Sequence, residues 1–183
     1  MLNVNLPADV ASAPAASQPL LQAVEKKIGF APNLYKLIAN SPAALEGTLS
    51  LSEALGKGAL DARTRERIAL AIANVNGCNY CNAAHTAIAG MLKLDAIEIE
   101  ANRRGRSSDP KAEAAVAFAR KVAISRADVT ATDVQAVRDA GFSDAELVEI
   151  VVHVALNTLT NYVNEVFGTP IDFPEVEPAG RAA

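Results

Sequence analysis

No stretch of the chain alternates apolar and polar residues as a half-buried strand requires, whereas helix start and stop signals recur along its length. Ser41-Pro42 pairs a capping residue with a proline at the first helical position and predicts a helix to about Gly56. Asp61 caps the next helix, which ends at Gly77, and another starts there and runs to Gly90 or Lys93. A short helix follows from Asp95 to Arg104. Asp109-Pro110 opens one that ends near Ser125, Thr132 caps a short one ending at Gly141, and Ser143 with Glu146 has capping-box spacing. Upstream, Leu20, Leu21, Val24 and Ile28 recur at helical spacing, and Pro32 opens a short helix through Ile38. Half of the residues are hydrophobic, yet aromatics are only 4 % and tryptophan is absent, so the helices must pack closely through small side chains. The expected fold class is all-α: a single-domain helical bundle of eight or nine helices joined by short loops.

At 183 residues the chain is long enough for one core. Residues 1–17, broken by Pro7 and Pro14, read as an extended arm, residues 18–170 as the helical domain, and residues 171–183, with Pro174 and Pro178, as a tail. Whether the arm is disordered or lies on a neighbouring subunit is left open by the sequence. A shift of 82 residues lays Asp61 on Ser143 and Asn79-Tyr80-Cys81-Asn82 on Asn161-Tyr162-Val163-Asn164, which suggests a duplicated helical pair. A net charge of −4 without a basic stripe argues against nucleic acid as a partner. No apolar run reaches the length of a membrane span, and the N-terminus lacks the features of a signal peptide, so the expected location is cytoplasmic and no membrane partner is expected.

Chemistry concentrates in residues 66–90, ERIALAIANVNGCNYCNAAHTAIAG, which hold both cysteines, Cys78 and Cys81, and one of the two histidines, His85. In a reducing compartment a C-x-x-C pair points to redox or metal chemistry rather than to a structural staple. On a helix starting near Gly77, Cys78, Cys81 and His85 fall at i, i+3 and i+7 and share one stripe. Unpaired N–H groups at the helix start favour a thiolate, and by that argument alone Cys78 is the more acidic thiol. A tight turn at Gly77 would lay the preceding helix alongside, with Glu66 nearer to His85 than to Cys78. A carboxylate there orients the imidazole and raises its basicity. These are the parts of a dithiol redox site.

The pattern Glu66, Cys78-Asn79-Tyr80-Cys81, His85, spaced E-x11-C-x2-C-x3-H, resembles the signature of the AhpD-like alkylhydroperoxidase branch of the carboxymuconolactone decarboxylase superfamily. The stretch from Asn157 to Pro174 is similar to the C-terminal ends of many such proteins. The resemblance implies a helical subunit that assembles into trimers or hexamers and reduces hydroperoxides through thiols, with no metal, haem or other cofactor. It implies Cys81 as the peroxidatic thiol, Cys78 as the resolving thiol, and Glu66 and His85 as a proton relay. The partners it implies are a hydroperoxide substrate, a dithiol reductant or redox protein, and further copies of the chain. Tyr80 departs from the pattern, since the best-characterised relatives carry histidine between the cysteines.

Three competing readings follow from the same residues. Zinc would need a fourth ligand from Glu66 or His153 and lacks the second ligand pair that structural zinc usually has. His153, amid Ile150, Val151, Val152 and Val154, reads as a core or interface histidine, and Tyr80 and Tyr162 read as packing residues. The expected function is therefore a thiol peroxidase for organic hydroperoxides, with a disulfide-shuttling or stress-linked interaction protein as the alternative. A lactone decarboxylase is disfavoured by the cysteine pair.

Overall fold

Eight of the ten residues from Thr64 to Ala73 are buried, on every side of the helix that carries them. A helix buried on all sides has to sit inside a bundle. This helix, Ala62–Asn76, does so with Ala69, Ala71 and Ala73 letting its neighbours approach closely. The structure, a computed structural model, describes residues 4–177; residues 1–3 and 178–183, including Pro178 of the expected tail, lie outside the described residues.

The described residues form nine α-helices and no strand. They are α1 (Gln18–Ile28), α2 (Asn33–Ile38), α3 (Pro42–Gly56), α4 (Ala62–Asn76), α5 (Asn79–Met91), α6 (Ala96–Arg103), α7 (Pro110–Ser125), α8 (Ala131–Asp139) and α9 (Asp144–Phe167). The all-α, single-domain expectation holds. Helix α4 packs against α5, α6, α7 and α9 and separates two core clusters. On one side Ile68 and Ile72 meet Ala115, Phe118, Val122, Val137, Leu147 and Ile150. On the other, Ala73 and the cysteine turn meet Leu21, Leu34, Ile38, Ala39 and Leu45 from the N-terminal helices.

Most helix starts match the capping residues of the sequence. Ser41, Asp61, Asp95, Asp109 and Ser143 each accept a first-turn N–H. One start differs: Thr130, not Thr132, caps α8, because Asp133 stands three residues after Thr130 and completes a capping box with it. The proposed duplication does not survive as a repeated helical pair. Residues 61–82 break at Gly77, whereas residues 143–164 pass through the matching position, Leu159, inside the single helix α9. The N-terminal segment lies on its own chain. Asn40 Nδ2 donates to the Asn5 carbonyl at 2.7 Å, Ala13 is buried, and a 3-10 turn at Ala15–Ser17 leads into α1.

A buried ion pair fastens α6 to α4. Arg67 Nε donates to Glu98 Oε1 at 2.8 Å, and the same carboxylate accepts from Asn102, Ser107 and Ser108. Burial opposes the charged form, but these donors outweigh it and hold the Glu98 carboxyl at a pKa of about 2. Removing the carboxylate strands Arg67, so Glu98→Ala should cost about 3–5 kcal/mol in urea unfolding. Because the folded-state pKa is depressed, the stabilisation from Glu98 is complete above pH 4.5 and disappears as pH falls towards 2. Unfolding midpoints of the wild type should fall over that window more steeply than those of Glu98→Gln.

Candidate active site

The site begins at the turn between α4 and α5. Gly77 takes φ +68°, a left-handed conformation open to glycine at no steric cost. The Cys78 N–H then returns to the Ala73 carbonyl at 2.9 Å, which closes α4 and reverses the chain. Cys78 is consequently the N-cap of α5 rather than a residue of its first turn, and its sulfur accepts from the Cys81 N–H at 3.3 Å. Cys81 lies one turn in. The two sulfurs are 2.7 Å apart, both cysteines are free, and the Cys78 thiol donates to the Cys81 sulfur.

The reversal brings Glu66 of α4 against His85 of α5. Glu66 Oε2 and His85 Nδ1 are 2.7 Å apart in a half-buried position. Burial pushes the imidazole towards neutrality, but the charge and hydrogen bond of Glu66 outweigh it, and the His85 pKa is raised. All four of the residues singled out in the sequence, Glu66, Cys78, Cys81 and His85, thus fall in one neighbourhood.

The two sulfurs are not equivalent. The hydrogen bond from Cys78 acts first on Cys81, burial opposes it, and His85, Asn164 and Asn161 add to it, so the Cys81 pKa comes down to about 7. The opposite holds for Cys78, whose donated hydrogen bond and burial push its thiol up. The helix-start argument for Cys78 as the more acidic sulfur therefore fails, because its proton is committed to Cys81.

A cavity of about 410 Å3 reaches the site, and Cys81 and His85 line it while Cys78 does not. Its other walls are mostly apolar: Phe30, Leu34, Tyr35, Ile88 and Met91, with Leu156 from α9 and Phe173 from the C-terminal segment. Tyr35 is held neutral by burial and by the negative charge on Cys81 and Glu66, so it presents an O–H to the cavity.

Sequence reasoning missed three participants. Asn164 Nδ2 donates to the Cys81 sulfur at 3.2 Å across 83 residues of chain. Asn161, one turn earlier, lies near the same sulfur and accepts from Asn76 at 2.8 Å. The recurrence of Asn-Tyr-x-Asn in α9 was the available signal, since buried amides in an otherwise apolar helix need partners. Tyr35 carried no signal. His153 is buried as expected, but its Nε2 has no partner and it does not line the cavity. Tyr162 is exposed rather than packed. Among the described residues, no group of three or more histidine, cysteine, aspartate and glutamate side chains is arranged to hold a metal ion.

Residues 42–123 match the model of the carboxymuconolactone decarboxylase family. The fold is similar to that of an uncharacterised peroxidase-related protein from Ralstonia eutropha JMP134, described as an alkylhydroperoxidase AhpD core. The TM-score is 0.84 at 26 % identity, over 93 % of this chain and 92 % of that one. Both likenesses support the AhpD-like branch of the carboxymuconolactone decarboxylase superfamily. A second peroxidase-related protein, from Silicibacter sp. TM1040, is similar to this chain with a TM-score of 0.81 and 26 % identity, over 98 % and 95 % of the two chains. The debrominase Bmp8, in complex with 2,3,4-tribromopyrrole, shares the AhpD-like fold at a TM-score of 0.77 and 20 % identity, over 94 % of each chain. A search of curated proteins returns no match.

The electrostatics make a pH prediction. Alkylation of Cys81 by iodoacetamide, followed by peptide mass spectrometry, should rise with pH through a midpoint near 7, below the ordinary thiol value of 9. Glu66→Gln removes the charge that keeps His85 protonated, so the midpoint in that variant should move upward. An unchanged midpoint would separate the Glu66–His85 pair from the thiol.

Proposed function

We propose that the protein is a thiol peroxidase that reduces organic hydroperoxides through Cys81 and Cys78. The observation that carries this reading is the asymmetry of the pair: the sulfur with the lowered pKa is also the one that lines the cavity. The Cys81 thiolate attacks the outer oxygen of the hydroperoxide. An S–O bond forms, the O–O bond breaks, and the departing alkoxide takes a proton from His85 to become the alcohol. Glu66 holds the imidazole in place and supports its protonated form. Cys81 is left as a sulfenic acid. The Cys78 sulfur then attacks the Cys81 sulfur, hydroxide leaves and is protonated to water, and a disulfide forms. At 2.7 Å the sulfurs need only a small further approach to reach the disulfide bond length of about 2.05 Å. An external dithiol or a redox protein returns both thiols by exchange.

The cycle makes the two cysteine variants differ. In an assay with cumene hydroperoxide and a dithiol reductant, Cys81→Ser should reduce turnover by at least about a thousandfold, because the attacking atom is gone. Cys78→Ser should stop at a sulfenic acid that dimedone traps on Cys81. Wild-type disulfide exchange without peroxide turnover would favour the shuttling alternative. Turnover of 2,3,4-tribromopyrrole in place of hydroperoxides would assign the chemistry named for Bmp8.

We also infer that copies of the chain assemble through α9. Val148, Val151, Leu159, Tyr162 and Val166 are exposed, 42–68 %, at spacings that place them along one side of this 24-residue helix. A row of that length on one helix suits the same row on a second copy. Val148→Glu with Leu159→Glu should lower the mass measured by light scattering, while a wild-type protein that is already monomeric would exclude assembly. Among the described residues no helix is long and apolar enough to cross a membrane.

A further inference from the structure

Tyr80 stands between the two cysteines, yet its hydroxyl points away from them, to the other end of the chain. It donates to Asp172 Oδ1 at 2.8 Å and accepts from the Leu34 N–H at 3.2 Å. The second oxygen of Asp172 accepts from the Asn33 N–H at 2.7 Å. These two N–H groups open α2, whose N-cap, Pro32, has no side-chain acceptor to offer. Of these two orphan donors, Asn33 is satisfied from 139 residues further on and Leu34 by Tyr80 itself, so Tyr80 and Asp172 cap α2 together. Next to this anchor, Phe173 packs edge-on against Tyr80 and Phe30, with ring centroids 5.6 and 5.7 Å away. Phe173 and Phe30 both line the cavity that reaches Cys81.

We propose that Tyr80 is a positioning residue: through Asp172 it holds the C-terminal segment, and with it Phe173, as a wall of the thiol cavity that sets the size of molecule able to reach Cys81. This rests on the reading that substrate meets Cys81 in the cavity. The segment that follows α9 has no helix of its own, since Thr169–Glu177 is irregular. Its attachment therefore depends on a few contacts, of which the Tyr80–Asp172 bond is charge-assisted and one of the strongest available. The same placement gives Tyr80 a task unlike that of a histidine between the cysteines: it supports the wall and carries no proton to the sulfurs.

The test uses the full chain and two readouts. The first is the alkylation of reduced Cys81 by a bulky maleimide relative to iodoacetamide. Loss of a hydrogen bond to a charged group shifts a local opening equilibrium by about tenfold, so Tyr80→Phe should raise the bulky-to-small rate ratio by about that factor. Phe173→Ala should raise it as well, and Phe173→Tyr, which keeps the aromatic wall, should restore the wild-type ratio. The second readout is the ratio of KM values for cumene hydroperoxide and tert-butyl hydroperoxide, which should fall in Tyr80→Phe and Phe173→Ala. Ratios equal to wild type in both variants overturn the proposal. So does equal acceleration of both alkylating reagents, which reports general loosening rather than a wall. If the wild type reduces neither hydroperoxide, the peroxidase reading fails, and the alkylation ratio still decides the role of Tyr80.

Discussion

The contact between Glu66 and His85 depends on one backbone conformation. With Gly77 left-handed, α4 stops at Asn76 and α5 starts at Asn79 after two intervening residues, folded back on it. A side chain at residue 77 would meet the cost of that conformation, and any lengthening of the turn would slide Glu66 along α5 away from the imidazole. The same reversal makes Cys78 a cap, which turns its thiol proton towards Cys81 and leaves Cys81 facing the cavity. Turn, carboxylate–imidazole pair and sulfur asymmetry are thus one arrangement seen at three scales.

Around that turn the bundle separates rigidity from access. Helix α4 is enclosed by α5, α6, α7 and α9, with a buried ion pair at one end and alanines along its length. The cavity lies between α5, the helices α1, α2 and α3, the C-terminal segment and α9. Apart from α9, those walls pack less extensively than α4 does, and Asp172 on Tyr80 and Asn33 is one of their anchors.

Helix α9 contributes to both sides at once. Its buried face delivers Asn161 and Asn164 to the sulfurs, while its exposed face carries an apolar row. Asn164 acts on Cys81 by donating a hydrogen bond that favours the thiolate, an effect a nearby cation supplies less directionally. It adds to the hydrogen bond from Cys78, the main cause, and to the charge of His85, and together these lower the pKa of a sulfur buried to 2 % exposure.

Much of the fold was legible in the residues alone, because caps, prolines and glycines act locally. Ser41-Pro42, Asp61, Gly77 and Ser143 mark boundaries through hydrogen bonds and backbone preferences within four residues of themselves. Thr132 misled because the decisive partner of a cap is the residue three further on, and Asp133 serves Thr130. The pairing of Glu66 with His85 was also readable, since it follows from helix rise and one tight turn. The roles of Asn164, Tyr35, Asp172 and Phe173 were not, for they depend on where helices far apart in the chain come to rest. The sequence by itself determined the elements and a local cluster of sulfur, imidazole and carboxylate. Only the tertiary structure decided which sulfur is the acid and what surrounds it, because proton affinity answers to every neighbour in space and the sequence orders only the neighbours along the chain.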